Sequence, residues 1–201
     1  TQPTSGLPAI DPDLTAFVDD FDAPSSDQEL SGIDFVAEIA DGAMHLSVLT
    51  PGVSDEIPYP AQAPGDFTFT IEVGEVAGQG EILASVRESA DNAAWRFAVN
   101  PAAQTWRLDR ESPFGHGYYA WVTPRAYGAR MPDSLHSITI ARQRDALSFL
   151  LNGVDVVNPV NTPLPRVSGP VTVAFGAGTP PESGGEAFSA AIERVSLSDH
   201  A

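Results

Sequence analysis

The stretch 148-SFLLNGVDVV-157 decides the fold, because it sets an Asn-Gly pair between two apolar runs. Asn152 and Gly153 both tolerate the positive φ angles that a type I′ turn requires. On the strand before the turn, Leu147, Phe149 and Leu151 fall on one side, as alternation in a half-buried strand demands. The stretch therefore predicts a β-hairpin with its tip at the Asn-Gly pair.

Alternation with a period of two continues through the rest of the 201 residues, and no long stretch has the 3.6-residue apolar period of a helix. Clusters of Gly, Pro, Asn and Asp separate the alternating segments. The predicted strands lie at 17–22, 33–39, 43–49, 66–76, 80–88, 94–100, 104–110, 117–122, 135–143, 146–151, 154–158, 170–176 and 187–198. This pattern predicts an all-β protein, folded as a two-sheet antiparallel jelly-roll β-sandwich.

The length and the even spacing of strands predict one folded domain. We expect residues 1–15 to form a flexible N-terminal arm or linker, and residues 16–201 to form a single sandwich domain. The opening segment TQPTSGLPAIDPDL is polar and proline-rich, and it has neither the charged nor the apolar region of a signal peptide. Such a segment suits a mature N-terminus exposed by cleavage, or a linker from a membrane anchor, and we expect an exported protein of the bacterial periplasm or cell surface.

The charge of the chain is strongly negative and unevenly distributed. The formal net charge is −17, lysine is absent, and the ten basic residues are arginines that begin at Arg87. A nucleic-acid partner is not expected, because phosphate backbones require a basic footprint. The acidic first part could meet a basic partner, or it could be a solubilising shell. The absence of cysteine excludes disulfides, and no apolar run is long enough to span a membrane.

The hairpin also resembles the "lyvNG..v" hairpin of concanavalin A-like jelly-roll domains, which include laminin-G-like and glucanase-like sandwiches of bacterial exported proteins. Three further segments resemble this family in the expected order. FVDDFD (17–22) and IADGAMHLSV (39–48) resemble its opening strands, and GPVTVAFGAG (169–178) followed by FSAAIERVSLSD (188–199) resembles its closing pair. The resemblance implies a concanavalin A-like fold over about residues 15–199.

The resemblance also implies a structural calcium ion. In several relatives, the position of Glu193 helps to hold calcium near the opening strand, and calcium prefers carboxylate and carbonyl oxygens. The expected ligands are Asp19, Asp20 and Glu193. Alternatively, Glu193 caps the edge of the sandwich, and no other cofactor is expected.

Catalytic patterns are not found in the sequence. Glucanases of this fold resemble one another in an ExDxE strand, which sets carboxylates on one face. The nearest candidate is IEVGEV, but the spacing of Glu72 and Glu75 places them on opposite faces of a strand. A G-x-S-x-G motif is also absent. The sequence therefore predicts that the protein is not an enzyme.

A ligand-binding surface is predicted on one sheet. Three arginines alternate with core residues on neighbouring strands, and the adjacent segment 114–130 is rich in aromatic side chains. Aromatic rings stack on sugars, and guanidinium forks hold hydroxyls or carboxylates. Alternatively, the arginines pair with acids and the tryptophan is a packing residue. The expected ligand-binding residues are Arg87, Arg96, Arg107, Tyr119, Trp121 and Arg125.

These features predict a non-catalytic exported binding or adhesion module, with a carbohydrate as the first choice of ligand. A second hypothesis is a structural or accessory subunit that docks onto a larger extracytoplasmic assembly, through its polar arm and acidic half. A sugar-processing hydrolase is the third hypothesis. The partner is accordingly expected to be a glycan or a protein.

Overall fold

The structure is a computed structural model, and it describes residues 11, 13–22, 30–89, 93–111, 117–127, 134–157, 164–180 and 187–200. The regular elements of these residues are all strands. They are β1 (Phe17–Asp19), β2 (Leu30–Ser31), β3 (Phe35–Ala40), β4 (Ala43–Val48), β5 (Ser54–Ala63), β6 (Phe67–Ala77), β7 (Glu81–Glu88), β8 (Ala94–Asn100), β9 (Thr105–Glu111), β10 (Tyr118–Ala126), β11 (Ser137–Gln143), β12 (Ala146–Leu151), β13 (Val154–Asp155), β14 (Val171–Gly178) and β15 (Phe188–Asp199).

The strands form two antiparallel sheets that pack as a sandwich. The nine-stranded sheet has the order β13-β12-β11-β6-β15-β4-β3-β2, with β1 paired to β15, and the six-stranded sheet has the order β10-β9-β8-β7-β14-β5. The predicted two-sheet antiparallel jelly roll is therefore confirmed. No helix in the described ranges is long and apolar enough to cross a membrane.

The core lies between the two sheets and contains the side chains that alternation assigned to it. On β6, Phe67, Phe69 and Ile71 are fully buried. Across the sandwich, the rings of Phe97 on β8 and Phe149 on β12 lie 5.3 Å apart. Each such side chain contributes about 1.5–3 kcal/mol when it is buried. These contacts fix which face of each sheet points outward.

Strand β5 was not predicted, because Pro58 and Pro60 led us to interpret its sequence as a loop. Proline cannot donate a ladder hydrogen bond, but an edge strand needs donors on one side only. β5 is the edge strand next to β14 in the six-stranded sheet. The short β2 was also missed. The error on β5 matters, because this strand carries Glu56.

The predicted hairpin is confirmed: Leu151 pairs with Val154, and Asn152 and Gly153 have φ angles of 48° and 78°. The Asn152 side chain also has a role that the sequence did not indicate. Its Oδ1 accepts hydrogen bonds from the backbone N–H groups of His136 (2.7 Å) and Ser137 (2.9 Å). The turn residue therefore fastens the hairpin tip to the start of β11.

The N-terminal segment lies partly outside the described residues, which begin at Asp11. The Asp11 N–H donates to the Pro60 carbonyl at 2.7 Å, and the Gln62 N–H donates to the Leu14 carbonyl at 2.9 Å. The last residues of the predicted arm thus lie along β5. The division into an arm of residues 1–15 and a domain of residues 16–201 stays a prediction.

Candidate functional site

The outer surface of the six-stranded sheet, here called the arginine face, carries Arg87 on β7, Arg96 on β8 and Arg107 on β9. In each strand the preceding residue is buried in the core, so these three side chains point outward. The register joins the strands as expected, since Ala98 pairs with Arg107 and Ser85 pairs with Arg96. The structure therefore brings the three predicted arginines onto one surface.

Asp109 joins two of these arginines. Its carboxylate accepts from Arg96 Nη2 at 3.1 Å and from Arg107 Nε at 3.0 Å. Arg107 also forms a short ion pair with Glu81. The Asp109 side chain is only 5% exposed and that of Arg96 is 12% exposed. The arrangement is thus a partly buried network of alternating charges, as the alternative interpretation of the arginines expected.

Arg87 and Tyr118 complete the network. Arg87 Nη1 lies 2.5 Å from Glu111 Oε2. The ring of Tyr118 on β10 stacks against the Arg96 guanidinium, with its centroid 3.8 Å from the Arg96 Cζ atom. Burial, together with the nearby carboxylates, raises the pKa of Tyr118 to about 12, so its phenol is neutral at physiological pH.

Glu56 reaches this face from the edge strand β5. A Cβ built on Gly176 of β14 would lie 2.7 Å from Glu56 Cα and closer still to the Asp55 carbonyl oxygen. Only glycine therefore allows β5 to lie this close to β14. In this position the Glu56 carboxylate accepts a short hydrogen bond from the Ser85 hydroxyl on β7.

The pKa values of two glutamates are raised on this face. Burial raises the pKa of Glu56, although the Ser85 hydrogen bond and the nearby charges of Arg96 and Arg87 act in the opposite direction. Burial also raises the pKa of Glu81, against the ion pair with Arg107. Within the described ranges, Glu56 differs from the other carboxylates of the face in forming no ion pair. Desolvation thus favours the protonated form of Glu56.

Two hollows lie side by side on the arginine face. The first, the Glu81 hollow, has a volume of about 310 Å³ and is also lined by Arg96 and Arg107. The second, the Glu56 hollow, has a volume of about 340 Å³ and is also lined by Ser85 and Arg87. Asp109 and Glu111 line neither of them. Glu56 and Glu81 are therefore the glutamates that face these two spaces.

A further hollow of about 500 Å³ lies on the nine-stranded sheet. Its lining includes Glu38, His45 and Glu75. His45 Nε2 is within 3.1 Å of the Ala40 carbonyl. Glu38 and Glu75 are both exposed, so this hollow provides a comparison surface.

The remaining predicted ligand residues lie elsewhere. Tyr119 pairs with Arg110, and Arg125 pairs with Trp106. Directly paired residues share a face, and Arg110 and Trp106 lie on the core-facing side of β9. Tyr119 and Arg125 therefore lie on the core-facing side of β10. Trp121 packs edge-on against the core residue Trp95, with ring centroids 5.3 Å apart. The structure therefore does not bring Tyr119, Trp121 and Arg125 onto the arginine face, and their ligand contacts stay predictions.

Two of the three expected calcium ligands are engaged by other groups. Asp19 Oδ2 accepts from the Tyr59 hydroxyl at 3.0 Å, and Asp20 Oδ1 lies 3.0 Å from Arg194 Nε. Among the residues that the structure describes, no three His, Cys, Asp or Glu side chains are placed to share a metal. Asp19, Asp20 and Glu193 thus do not fit as one ligand set, and calcium binding itself stays a prediction.

Part of this site is visible in the sequence as a pattern of alternation. In the segment RLDRE, strict alternation places Arg107, Asp109 and Glu111 on one side of a strand. This is the spacing of the glucanase pattern, with arginine in place of its first acid. The same alternation places Glu81 on the outward side of β7, together with Arg87. Glu56 could not be placed from the sequence, because it lies on β5, whose prolines indicated a loop.

The chain has the concanavalin A-like jelly-roll fold, as comparison with solved structures shows. It is similar to the Crh5 transglycosylase in complex with NAG, with a TM-score of 0.59, 13% identity, and coverage of 93% of this chain and 85% of that chain. It is also similar to a prokaryotic β-1,3-1,4-glucanase (lichenase) derived from a mouse hindgut metagenome, with a TM-score of 0.57 and 14% identity. That match covers 92% of this chain and 99% of the glucanase chain. A third similar structure is the catalytic domain of an endo-1,3-β-glucanase (laminarinase) from Thermotoga petrophila RKU-1, with a TM-score of 0.57 and 10% identity. The match covers 92% of this chain and 97% of that domain. No protein-family model and no curated protein matches the sequence.

These comparisons correct two predictions. The predicted non-catalytic binding or adhesion module, and the prediction that the chain is not an enzyme, are wrong because the similar structures are sugar-processing enzymes. The prediction rested on the absence of a carboxylate pair on one strand. The acids that face the hollows, Glu56 and Glu81, come from β5 and β7. At 10–14% identity the likeness establishes the fold, while the laminin-G-like resemblance stays a prediction.

Proposed function

We propose that the protein is a sugar-processing enzyme that cleaves a glycosidic bond on the arginine face, between Glu56 and Glu81. One observation carries this proposal: two partly buried glutamates with raised pKa values face adjacent hollows on one sheet surface. Glycosidic cleavage requires two carboxyl groups, one to protonate the leaving oxygen and one to act at the sugar carbon. The catalytic activities of structures with this fold support the same class of reaction.

Glu56 is suited to be the general acid. Its burial favours the protonated form, and a carboxylic acid that keeps its proton near neutral pH can donate it to the glycosidic oxygen. The Ser85 hydroxyl holds the carboxyl group in place. In the reaction the Glu56 proton passes to the leaving-group oxygen as the bond between that oxygen and the sugar carbon breaks.

Glu81 is suited to be the second carboxyl group. Its ion pair with Arg107 supports the ionised form that a nucleophile or base requires. Glu56 pairs with Gly176 and Glu81 with Gly178, on opposite sides of β14, so their Cα atoms are about 12 Å apart. Glutamate side chains can close that separation to the roughly 5–9.5 Å found between catalytic carboxyl groups. The ionised Glu81 either attacks the sugar carbon, forming an ester that a water or sugar hydroxyl then cleaves, or removes a proton from a water or sugar hydroxyl that attacks the carbon directly.

A neutral sugar polymer fits this face best. Arg87, Arg96 and Arg107 are each paired with a carboxylate of the same surface, so the face has no surplus of positive charge to recognise an acidic sugar. We therefore propose a β-linked glucan as the substrate class. An exported protein would meet such polymers outside the cytoplasm, and we therefore also propose export.

The test is turnover of β-1,3- and β-1,3-1,4-linked gluco-oligosaccharides, measured as product formation by wild type and two variants. Glu56→Gln and Glu81→Gln each preserve side-chain shape while removing an acid or base. Since general acid–base catalysis contributes about 10²–10⁴-fold, each change should lower kcat by at least about a hundredfold. Glu56→Gln should also remove the basic limb of the pH profile.

Glu75→Gln is the matched control, because Glu75 lines the hollow on the nine-stranded sheet. It should retain wild-type turnover. The proposal fails if wild type releases no product from any of these oligosaccharides. It also fails if the two arginine-face variants keep full activity, since the reaction would then take place elsewhere.

A further inference from the structure

A second surface lies at the edge of the six-stranded sheet, on the side opposite the arginine face. We call it the edge patch, and its members are Arg110, Tyr119, Trp121 and Arg125. Tyr119 is 46% exposed and Trp121 is 39% exposed, among the few large hydrophobic residues that are exposed in the described chain. Exposed aromatic side chains that lie close together commonly mark a binding surface.

The exposure follows from the way the two sheets overlap. Phe97 on β8 contacts Phe149 on β12, so β8 lies above β12. The nine-stranded sheet ends one strand further on, at β13, whereas the six-stranded sheet continues through β9 to β10. β10 therefore lies beyond the edge of the facing sheet. Among the residues that the structure describes, no strand of the nine-stranded sheet lies opposite the core-facing side chains of β10. Val122 is nevertheless buried.

The aromatic members are held in place from beneath. Trp121 packs edge-on against the buried Trp95 at 5.3 Å, and the Arg110 guanidinium lies 4.8 Å from the Trp95 ring centroid. Trp95 in turn donates from Nε1 to the Arg166 carbonyl. A ligand that stacks on the exposed part of Trp121 would meet a surface that is already ordered, so little conformational entropy would be lost on binding.

The edge patch has a surplus of positive charge. In the ranges that the structure describes, neither Arg110 nor Arg125 forms an ion pair, although the chain carries a net charge of −17. Arg125 is opposite Trp106, four residues from Arg110 along β9, so the two arginines are about 13 Å apart along the strand. Trp121 lies between them along the strand, and Tyr119 is directly opposite Arg110. The edge patch thus combines stacking rings with two guanidinium groups that form no ion pair in the described ranges.

We propose that the edge patch is a binding site for an acidic polysaccharide, with Tyr119 and Trp121 stacking on sugar rings and Arg110 and Arg125 holding uronic acid carboxylates. A planar guanidinium pairs with a carboxylate through two hydrogen bonds, and the spacing lets one chain contact both arginines. The choice of a sugar polymer over an acidic peptide rests on the proposed function. The site itself does not depend on Glu56 or Glu81.

The test is the affinity of the full chain for a uronic acid oligosaccharide and for a neutral oligosaccharide of equal length, by calorimetry. Tyr119→Ala and Trp121→Ala should each weaken uronate binding about tenfold, the equivalent of one aromatic contact. Arg110→Gln and Arg125→Gln should each weaken it severalfold and reduce its dependence on salt. Glu56→Gln should leave the affinity unchanged, which separates this site from the proposed active site.

Arg144→Gln is the matched control, because Arg144 is an exposed arginine without an ion pair in the described chain and lies at the far β11–β12 turn. It should not alter the affinity. The proposal is overturned if no saturable uronate binding occurs, or if the neutral oligosaccharide binds equally well and the arginine variants have no effect. Equally tight binding of a glutamate-rich peptide would also overturn it, in favour of a protein partner.

Discussion

Replacing Asp109 with asparagine tests whether the arginine-face network stabilises the fold. Asp109 accepts hydrogen bonds from Arg96 and Arg107, and its side chain is 5% exposed. Removing one partner of a buried ion pair costs about 3–5 kcal/mol. Arg107 would keep its contact with Glu81, and Arg96 would keep its stacking on Tyr118. We therefore expect Asp109→Asn to lower the free energy of unfolding by about 2–3 kcal/mol.

The assay is urea unfolding of wild type and Asp109→Asn, compared at equal m-values so that a shift in midpoint reports stability. The matched control is Asp145→Asn. Asp145 pairs with Arg166 at 2.7 Å, but the two side chains are 52% and 73% exposed. A pair in this environment contributes at most about 1 kcal/mol.

The reasoning is refuted if Asp109→Asn costs less than about 0.5 kcal/mol, or no more than Asp145→Asn. The arginines would then be held weakly by their acids. They would be free to bind a ligand, and the inference of a neutral substrate would lose its basis.

Three further predictions concern Glu56, the glycine beneath it and the hairpin tip. Because burial raises the pKa of Glu56 above 4.5, the stability it confers is present below that pH and is lost as pH rises through the raised pKa. Urea unfolding from about pH 4 to about pH 8 should show Glu56→Gln gaining stability relative to wild type with rising pH, and a constant difference would contradict this. Gly176→Ala should lower the free energy of unfolding by about 1–3 kcal/mol, measured by thermal unfolding, and should abolish turnover. Gly65→Ala is the control, because its Cβ would lie 3.8 Å from the nearest atom, and it should cost much less. Equal losses of stability would contradict the close approach of β5 to β14. Asn152→Gly keeps the φ angle but removes the bonds to His136 and Ser137, so chemical unfolding should show a loss of about 1–3 kcal/mol, and no loss would mean that the side chain does not fasten the hairpin.

Much of the fold could be predicted from the sequence because alternation is a local signal. Phe67, Phe69 and Ile71 are buried as their spacing indicated, and the Asn-Gly pair forms the expected turn. The sequence did not predict β5, because a strand that contains prolines is possible only at the edge of a sheet. Pro58 and Pro60 are compatible with an edge strand and incompatible with a central one, and strand order cannot be derived from local pattern.

The candidate site was less predictable, because its geometry depends on pairing between distant strands. Arg87, Arg96 and Arg107 could be placed on one face by alternation alone. The proximity of Glu56 to Ser85 requires β5 to cross close to β14, which is a consequence of Gly176 that only the folded structure reveals. Val122 is buried although it follows Trp121, because a register shift in the β10–β9 pairing between Ala120 and Val122 interrupts the alternation there.

The most direct test of the central claim is a crystal structure of Glu56→Gln with a β-linked gluco-oligosaccharide bound. The predicted result is a sugar chain across the Glu56 and Glu81 hollows, with a glycosidic oxygen next to the substituted side-chain amide at position 56 and a sugar carbon facing Glu81. An oligosaccharide ordered instead over Glu38 and Glu75, on the nine-stranded sheet, would contradict the assignment of the active site.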